Sequence, residues 1–522
     1  MKVEELRHYS MPKNVIQVLK NAGIERLFEP QEIALNQGIL ELKDSFLISV
    51  PTASGKTLIA ELVMASSILH ERERGNRASK CLYIVPLRAL ASEKYETFKR
   101  WNALGIRTGI STGDMDSTDP WLANYDIIVA TSEKVDSLIR HNADWLKDIA
   151  VLVVDEIHLI NDSKRGPTLE VTVARMRHLI PNLLILGLSA TVQNAGEIAA
   201  WLDAKLIEST WRPVELREGI YYNHALLFDD SRIEDVEAQG KNPKDIAASL
   251  ALETVKEGGQ CLVFLNTRRS VESFADGLDI SRGLSESEKV QLNSVSLKVL
   301  GALPEPTKTC MRLARCIKKG AAFHHAGLLM KQRKLVEDAF RNNMIKVVSA
   351  TPTLAAGVNL PARRVIIKDY HRYDVNLGRV QIPVLEYKQM AGRAGRPEYD
   401  TYGEAVLISK TENERDFLFD SYVLAEPEEI YSKLAVEAAL RAHVLSSIAS
   451  NYANSLFGLL EFFSKTLFAF QRDIRTLETI LERVVEFLER EKMIKRAGKS
   501  GESLIATPFG ARVSQLYIDP LS

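Results

Sequence analysis

Four short stretches carry side chains suited to binding and splitting a phosphoanhydride. VPTASGKT (50–57) follows an apolar run and opens a helical pattern, the setting a phosphate-binding loop needs. Backbone N–H groups and a helix N-terminus at such a loop attract phosphate oxygens. Pro51, Thr52, Ala53, Ser54 and Gly55 supply the loop, Lys56 neutralises the β- and γ-phosphates, and Thr57 ligates Mg²⁺. Val50 stands where the generic motif has its first glycine, so the bare pattern is incomplete, and a plain helix cap is the competing reading. VVDEIH (153–158) ends a second apolar run: Asp155 can serve the Mg²⁺ shell, and Glu156 can orient and deprotonate a water. Alone it is also an acidic turn at a strand end. His158 reads as a coupling residue rather than an ordinary core histidine. SAT (189–191) closes a third run, where Ser189 and Thr191 can hydrogen-bond to the acidic motif and report its state. QMAGRAGR (389–396) sets Gln389, Arg393 and Arg396 among glycine and alanine. A solvated helix end explains exposed arginines but not that bed of small residues.

These residues need strands and helices to hold them. Runs at 45–50, 81–86, 126–131, 149–156 and 183–191 read as buried parallel strands. A second series follows at 261–266, 345–351, 364–370 and 404–409. Alternation with helical patterns implies βαβ units, and two series imply two sheets. STWRPVELREG (209–219), with Pro213, reads as the crossover between them, and ERERGNRASK (71–80) as a solvated loop. HRYDVNLGRVQ, with Asn376 and Gly378 at its turn, reads as a β-hairpin. After about residue 415 helices dominate. Ile474, Leu477, Leu481, Val484 and Leu488 form the stripe of a packed amphipathic helix. A hairpin with a glycine- and lysine-rich turn and a short helix follow, a winged-helix pattern.

The 522 residues imply three or four domains, and their net charge of −1 confines any basic surface to a local patch. No apolar run approaches the ~18 residues that span a membrane, and the polar N-terminus carries no signal-peptide core. Cys81, Cys261, Cys310 and Cys316 form no CxxC pair, so zinc is not expected and reduced thiols in the cytoplasm are. His324 and His325 lack metal-ligand partners at suitable spacing.

The order GKT, DEIH, SAT resembles that of a DExH helicase of superfamily two. The resemblance extends to FEPQEIAL around Gln31, PLRAL (86–90), STGD (111–114), TSEK (131–134), FLNTRRS (264–270), FHHAGL (323–328) and ATPTLAAGVNLPA (350–362). More narrowly, PTASGKT, DEIH, HHAGL, TPTLAAGVNLPA and LYIDPLS are similar to the Ski-like branch, and within it to the archaeal Hjm-type (HELQ-like) DNA repair helicases. This implies two RecA-like motor domains at 1–208 and 209–415 and a winged-helix domain at 416–522. It implies ATP and Mg²⁺ as cofactors. Phe28, Gln31, Gly357 and Asn359 join the ATP-binding set. Arg393 and Arg396 reach the γ-phosphate, a contribution of about 10³–10⁵ in rate, and Gln389 positions water or phosphate. Arg88, Thr131 and Thr353 contact strand phosphates, and Tyr373 sits on the strand-separating hairpin. The implied activity is 3′-to-5′ unwinding of forked DNA in repair by a monomer, in the archaeal cytoplasm or at the nucleoid. The family's ratchet domain and C-terminal helix–loop–helix are expected to be absent, with weaker coupling of hydrolysis to unwinding. The alternatives are an RNA helicase of the same branch and a non-catalytic DNA-binding scaffold; intact Lys56, Glu156 and Arg396 argue against the scaffold.

Overall fold

Strands covered by helices on both faces must be apolar throughout, and every run named above contains a strand in the computed structural model. The structure describes residues 1–522 except 114–116, 241, 355–359, 375–377, 398, 498–502, 517 and 522. Two compact units are present. Met1–Val50, Gly55–Thr210 and Glu429–Ser522 form the first; Pro51–Ser54 and Trp211–Glu428 form the second.

The first unit holds a parallel sheet of β1 (Ser45–Ser49), β2 (Lys80–Val85), β3 (Thr108–Ser111), β4 (Ile127–Thr131), β5 (Ile149–Val154), β6 (Leu184–Ser189) and β7 (Ala204–Glu208). Its order is β3-β4-β2-β5-β6-β1-β7. β5, β6 and β1 are therefore consecutive, and their C-terminal ends carry DEIH, SAT and GKT. Open parallel sheets bind ligands outside those ends, so strand order alone gathers the three motifs. The charge run at 71–80 is a loop only in part. Helix Lys56–Glu73 takes its first residues, and Lys80 opens β2, buried, its ammonium donating to the Ala123 carbonyl at 2.8 Å.

Residues beyond Glu429 pack on this sheet's helix Gly166–Leu179. In helix Ile474–Arg490, Leu477, Leu481, Val484 and Leu488 are buried in a core shared with Val171 and Ala174. Each such side chain contributes about 1.5–3 kcal/mol through burial. Polar ties accompany the apolar ones. Glu170 accepts from Ser432 Oγ at 2.6 Å and from the Phe468 N–H at 2.7 Å. Arg175 pairs with Asp136 at 2.6 Å and donates to Ser446 and Ser447. The expected hairpin is Ile494–Ala497 paired with Ser503–Ala506, followed by helix Pro508–Gln515; its turn lies outside the described residues.

The second unit's sheet uses β8 (Glu215–Tyr222), β9 (Ala225–Phe228), β10 (Ile233–Asp235), β11 (Cys261–Phe264), β12 (Ala321–His324), β13 (Val347–Ala350), β14 (Arg364–Ile367) and β17 (Tyr402–Ile408). The order is β10-β9-β8-β17-β14-β11-β13-β12, antiparallel only at the β8–β9–β10 edge. The stretch read as a crossover is thus half strand: from Glu215 onward it pairs in parallel with β17. The separate hairpin is β15 (His371–Asp374) and β16 (Gly378–Gln381), with Asn376 outside the described residues. The four cysteines are buried and free. Among the described residues no helix is long and apolar enough to cross a membrane.

Candidate active site

The phosphate loop is braced by its own neighbours. Gly55 has φ +82° and precedes helix Lys56–Glu73. An added Cβ there would collide with the Gln31 amide, which donates to the Gly55 carbonyl at 3.0 Å. Gln31 also accepts from the Phe28 N–H at 2.8 Å, so this buried side chain ties the helix start at Phe28 to the loop. Lys56 Nζ donates to the Val50 carbonyl at 2.8 Å. Val50 itself is wholly buried; its side chain faces the core, which is how the loop accommodates valine where the generic motif has glycine.

Within the second unit, Ser54 Oγ donates to the Trp211 carbonyl at 2.9 Å. There a Cβ on Gly392 would collide with the Thr52 hydroxyl. In QMAGRAGR, Gly392 is required by this close approach, whereas Gly395, at φ +91°, is required by its left-handed backbone.

At the ends of β5 and β6 the acidic motif is assembled as its chemistry requires. Tyr83 O–H donates to Asp155 Oδ2 at 2.8 Å, and Asp155 Oδ1 accepts from the Glu156 N–H at 3.1 Å. Burial raises the Asp155 carboxyl above its ordinary range, against the pull of Lys94. Glu156 has φ +54°, a left-handed backbone that costs of order 1–3 kcal/mol and marks functional sites. Among the described residues its Oε2 is buried without a hydrogen-bond donor; His158 Nε2 is 3.3 Å away but poorly aimed. His158 is fully buried, and burial pulls its pKa down to about 3, so the ring is neutral. The Ala190 N–H donates to Nδ1 at 3.2 Å, which puts the proton on Nε2, toward Glu156. Ser189 Oγ is 3.4 Å from Nδ1. SAT and DEIH are therefore joined through this ring, while Thr191 is exposed beyond it.

The donor set fits a magnesium nucleotide. The orphaned Glu156 oxygen is an acceptor in want of a donor, as a base facing water must be. The ammonium of Lys94 stands 2.8 Å from Thr57 Oγ1 and 3.9 Å from Asp155 Oδ2, so a cation already occupies the space between the two expected metal ligands.

In the second unit the two arginines differ. Arg396 is bidentate to Asp400 at 2.9 and 2.8 Å and donates to Gln260 Oε1 at 3.1 Å. Arg393 is half-buried on a loop fixed by its backbone: its carbonyl accepts from the Ala362 N–H at 2.9 Å, and the Gly395 N–H donates to Ala362 at 2.7 Å. Arg212 donates to the Gly392 and Ala394 carbonyls. Gln389 is buried nearby in the chain, and Gly357 and Asn359 lie outside the described residues. His324 pairs with Glu337 and His325 with Glu272.

The expected strand contacts are scattered. Arg88 is exposed at the first turn of helix Arg88–Phe98, and Thr353 is exposed. Tyr373 is 81% exposed on the hairpin. Thr131 is buried, and its hydroxyl caps helix Ser132–Arg140 by accepting from the Lys134 N–H. Sequence reasoning missed Lys94, Arg212, Gln260 and Asp400. Only Asp400 carried a signal, the i, i+4 spacing from Arg396.

Comparison with known proteins agrees with this geometry. Residues 28–198 match the DEAD/DEAH box helicase family, 305–398 the helicase conserved C-terminal domain, and 403–495 a helix-turn-helix domain. The chain is 49% identical over its whole length to the ATP-dependent DNA helicase Hel308 of Methanocella arvoryzae, covering 69% of that protein. It is 44% identical to the protein of that name from Pyrobaculum calidifontis and 43% to that of Pyrococcus horikoshii, covering 71% and 69% of them. With phosphate loop, DEIH and SAT converging on adjacent strand ends, and with that identity along its full length, the chain belongs to the Hel308 family of ATP-dependent DNA helicases.

Proposed function

We propose that this chain is an ATP- and Mg²⁺-dependent helicase that translocates 3′ to 5′ on single-stranded DNA and opens forked duplexes in repair, as a cytoplasmic monomer of the Hjm type. The observation that carries the reading is the buried, donor-less Oε2 of Glu156 beside the Thr57–Asp155 pair. In this reading Phe28, Gln31 and Pro51–Thr57 hold the nucleotide, and Lys56 leaves the Val50 carbonyl for phosphate. Thr57 and Asp155 would hold Mg²⁺, which would neutralise charge on the β- and γ-phosphates. Glu156 takes a proton from the attacking water and is held in line by His158. Ser189 and Thr191 transmit the state of that motif toward the strand. Gln389, Arg393 and Arg396 complete the machinery, with Gly357 and Asn359. Arg393 stabilises the charge that develops on the γ-phosphate, and Arg396 fixes the loop that presents it. Arg88 and Thr353 position the strand through its phosphates without reading sequence, and Thr131 serves through the helix start that its hydroxyl caps. Tyr373 stacks on the first opened base. The working parts are residues 1–208, 209–415 and 416–522.

The relatives' printed names favour DNA over RNA, and nothing favours the RNA reading. The test is ATPase stimulation by matched single-stranded DNA and RNA oligonucleotides. Strong stimulation by DNA and weak stimulation by RNA is expected; equal stimulation would remove the DNA assignment.

A further inference from the structure

We propose that Lys94 is a resident cation that keeps a divalent metal out of the Thr57–Asp155 position until nucleotide phosphate arrives. The proposal rests on the nucleotide-site reading above. Lys94 lies on helix Arg88–Phe98, and only 10% of its side chain is exposed. An ammonium is rarely buried so deeply unless it is paired. Its partners are the groups a metal would use: Thr57 Oγ1 at 2.8 Å, through the lone pair a metal would need, and Asp155 Oδ2 at 3.9 Å. Glu93 Oε1 is also 3.9 Å away.

The charges explain what this arrangement does. Lys94 sets its charge against Asp155 and the more exposed Glu93, so part of the site's negative charge is already neutralised as it stands. A divalent ion entering alone would meet the Lys94 ammonium at close range in a poorly solvated place, and the repulsion would be large. A triphosphate arriving with the ion changes the balance. It gives the ammonium a new anionic partner, and the four-carbon lysine stem lets the head swing from Thr57 to phosphate. Metal and nucleotide then enter together and leave together. Lys94 is thus a positioning residue that acts on the metal ligands.

Binding of Mn²⁺ alone, followed by electron paramagnetic resonance, reads this without turnover. The wild-type protein should bind Mn²⁺ poorly without nucleotide and well with ADP. Lys94→Met should bind Mn²⁺ alone at least about tenfold more tightly, and Lys94→Gln should do the same if the methionine variant does not fold. Lys94→Arg, which keeps the charge, should stay like wild type. Adding Asp155→Asn to Lys94→Met should erase the gain. Tight Mn²⁺ binding by the wild type without nucleotide, or no gain in the neutral variants, would overturn the proposal. If instead ADP fails to recruit Mn²⁺ to the wild type, or recruits it equally to Lys56→Ala, the phosphate-loop reading is what fails.

Discussion

Arg393 and Arg396 look equivalent in the sequence and are not equivalent in the fold. Arg396 is held by both carboxylate oxygens of Asp400, whose side chain is only 4% exposed. Removing the arginine strands a buried charge, a loss of about 3–5 kcal/mol. Arg396→Ala should therefore lower both turnover and melting temperature. Arg393→Ala should lower turnover at least about a hundredfold while leaving ATP affinity nearly unchanged, because the group acts on the transition state. Nucleotide binding, steady-state turnover and a thermal melt on both variants separate the two roles. Loss of affinity with turnover intact in Arg393→Ala would make it a ground-state binder. Lys56→Ala should abolish hydrolysis and spare strand binding, since its ammonium sits in the nucleotide loop; near-normal turnover would dismiss that loop as the site of catalysis.

Two elements make separate predictions. The hairpin β15–β16 carries Tyr373 at 81% exposure opposite Arg379. Opening one base-pair step takes roughly 1.4 kcal/mol of stacking, and stacking a base on an aromatic ring returns about 1–3 kcal/mol. Replacing residues 373–378 with a short glycine turn should spare strand-stimulated hydrolysis and sharply reduce base pairs opened per ATP on a forked substrate. An unchanged ratio would assign the wedge to another element. Helix Gly166–Leu179 carries the second. Burial raises Glu170 from its ordinary 4.5 to about 7. The folded chain then holds a proton that the unfolded chain releases between those values. The stabilising contribution is full below pH 4.5 and is lost as pH rises through 7. Between pH 5 and 8 wild type should lose up to about 3 kcal/mol that Glu170→Gln does not lose. Parallel melts of the two proteins would check it, and identical pH dependence would contradict it. Elements were the most legible level of the sequence. Parallel strands announced themselves because both faces are buried, and the stripe Leu477–Leu481–Val484–Leu488 announced its helix. TGIS in β3 and AKLIE in β7 did not, being short or alternating. The strand from Glu215 was hidden behind Pro213, since proline there reads as a break.

For the molecule as a whole, the sequence carried the motifs and their order, because each must keep its residue types to do its chemistry. It did not carry the strand order that makes β5, β6 and β1 neighbours, nor the long-range contacts that follow. Lys94 reads as one more surface lysine in ASEKYETF; only the fold turns it onto Thr57. Arg212 reads as part of a connector, and only the fold lays it under the arginine loop. The parts still have to work as one machine, with hydrolysis at Glu156 driving strand separation. The most direct measurement is displacement of a labelled strand from a forked DNA duplex with a 3′ single-stranded arm, in ATP and Mg²⁺, for wild type and Glu156→Gln. Wild type should release the strand, and do so far better than from a fork offering only a 5′ arm. Glu156→Gln should bind the fork and ATP but release nothing. Equal release by the variant, or release without ATP, would contradict the account.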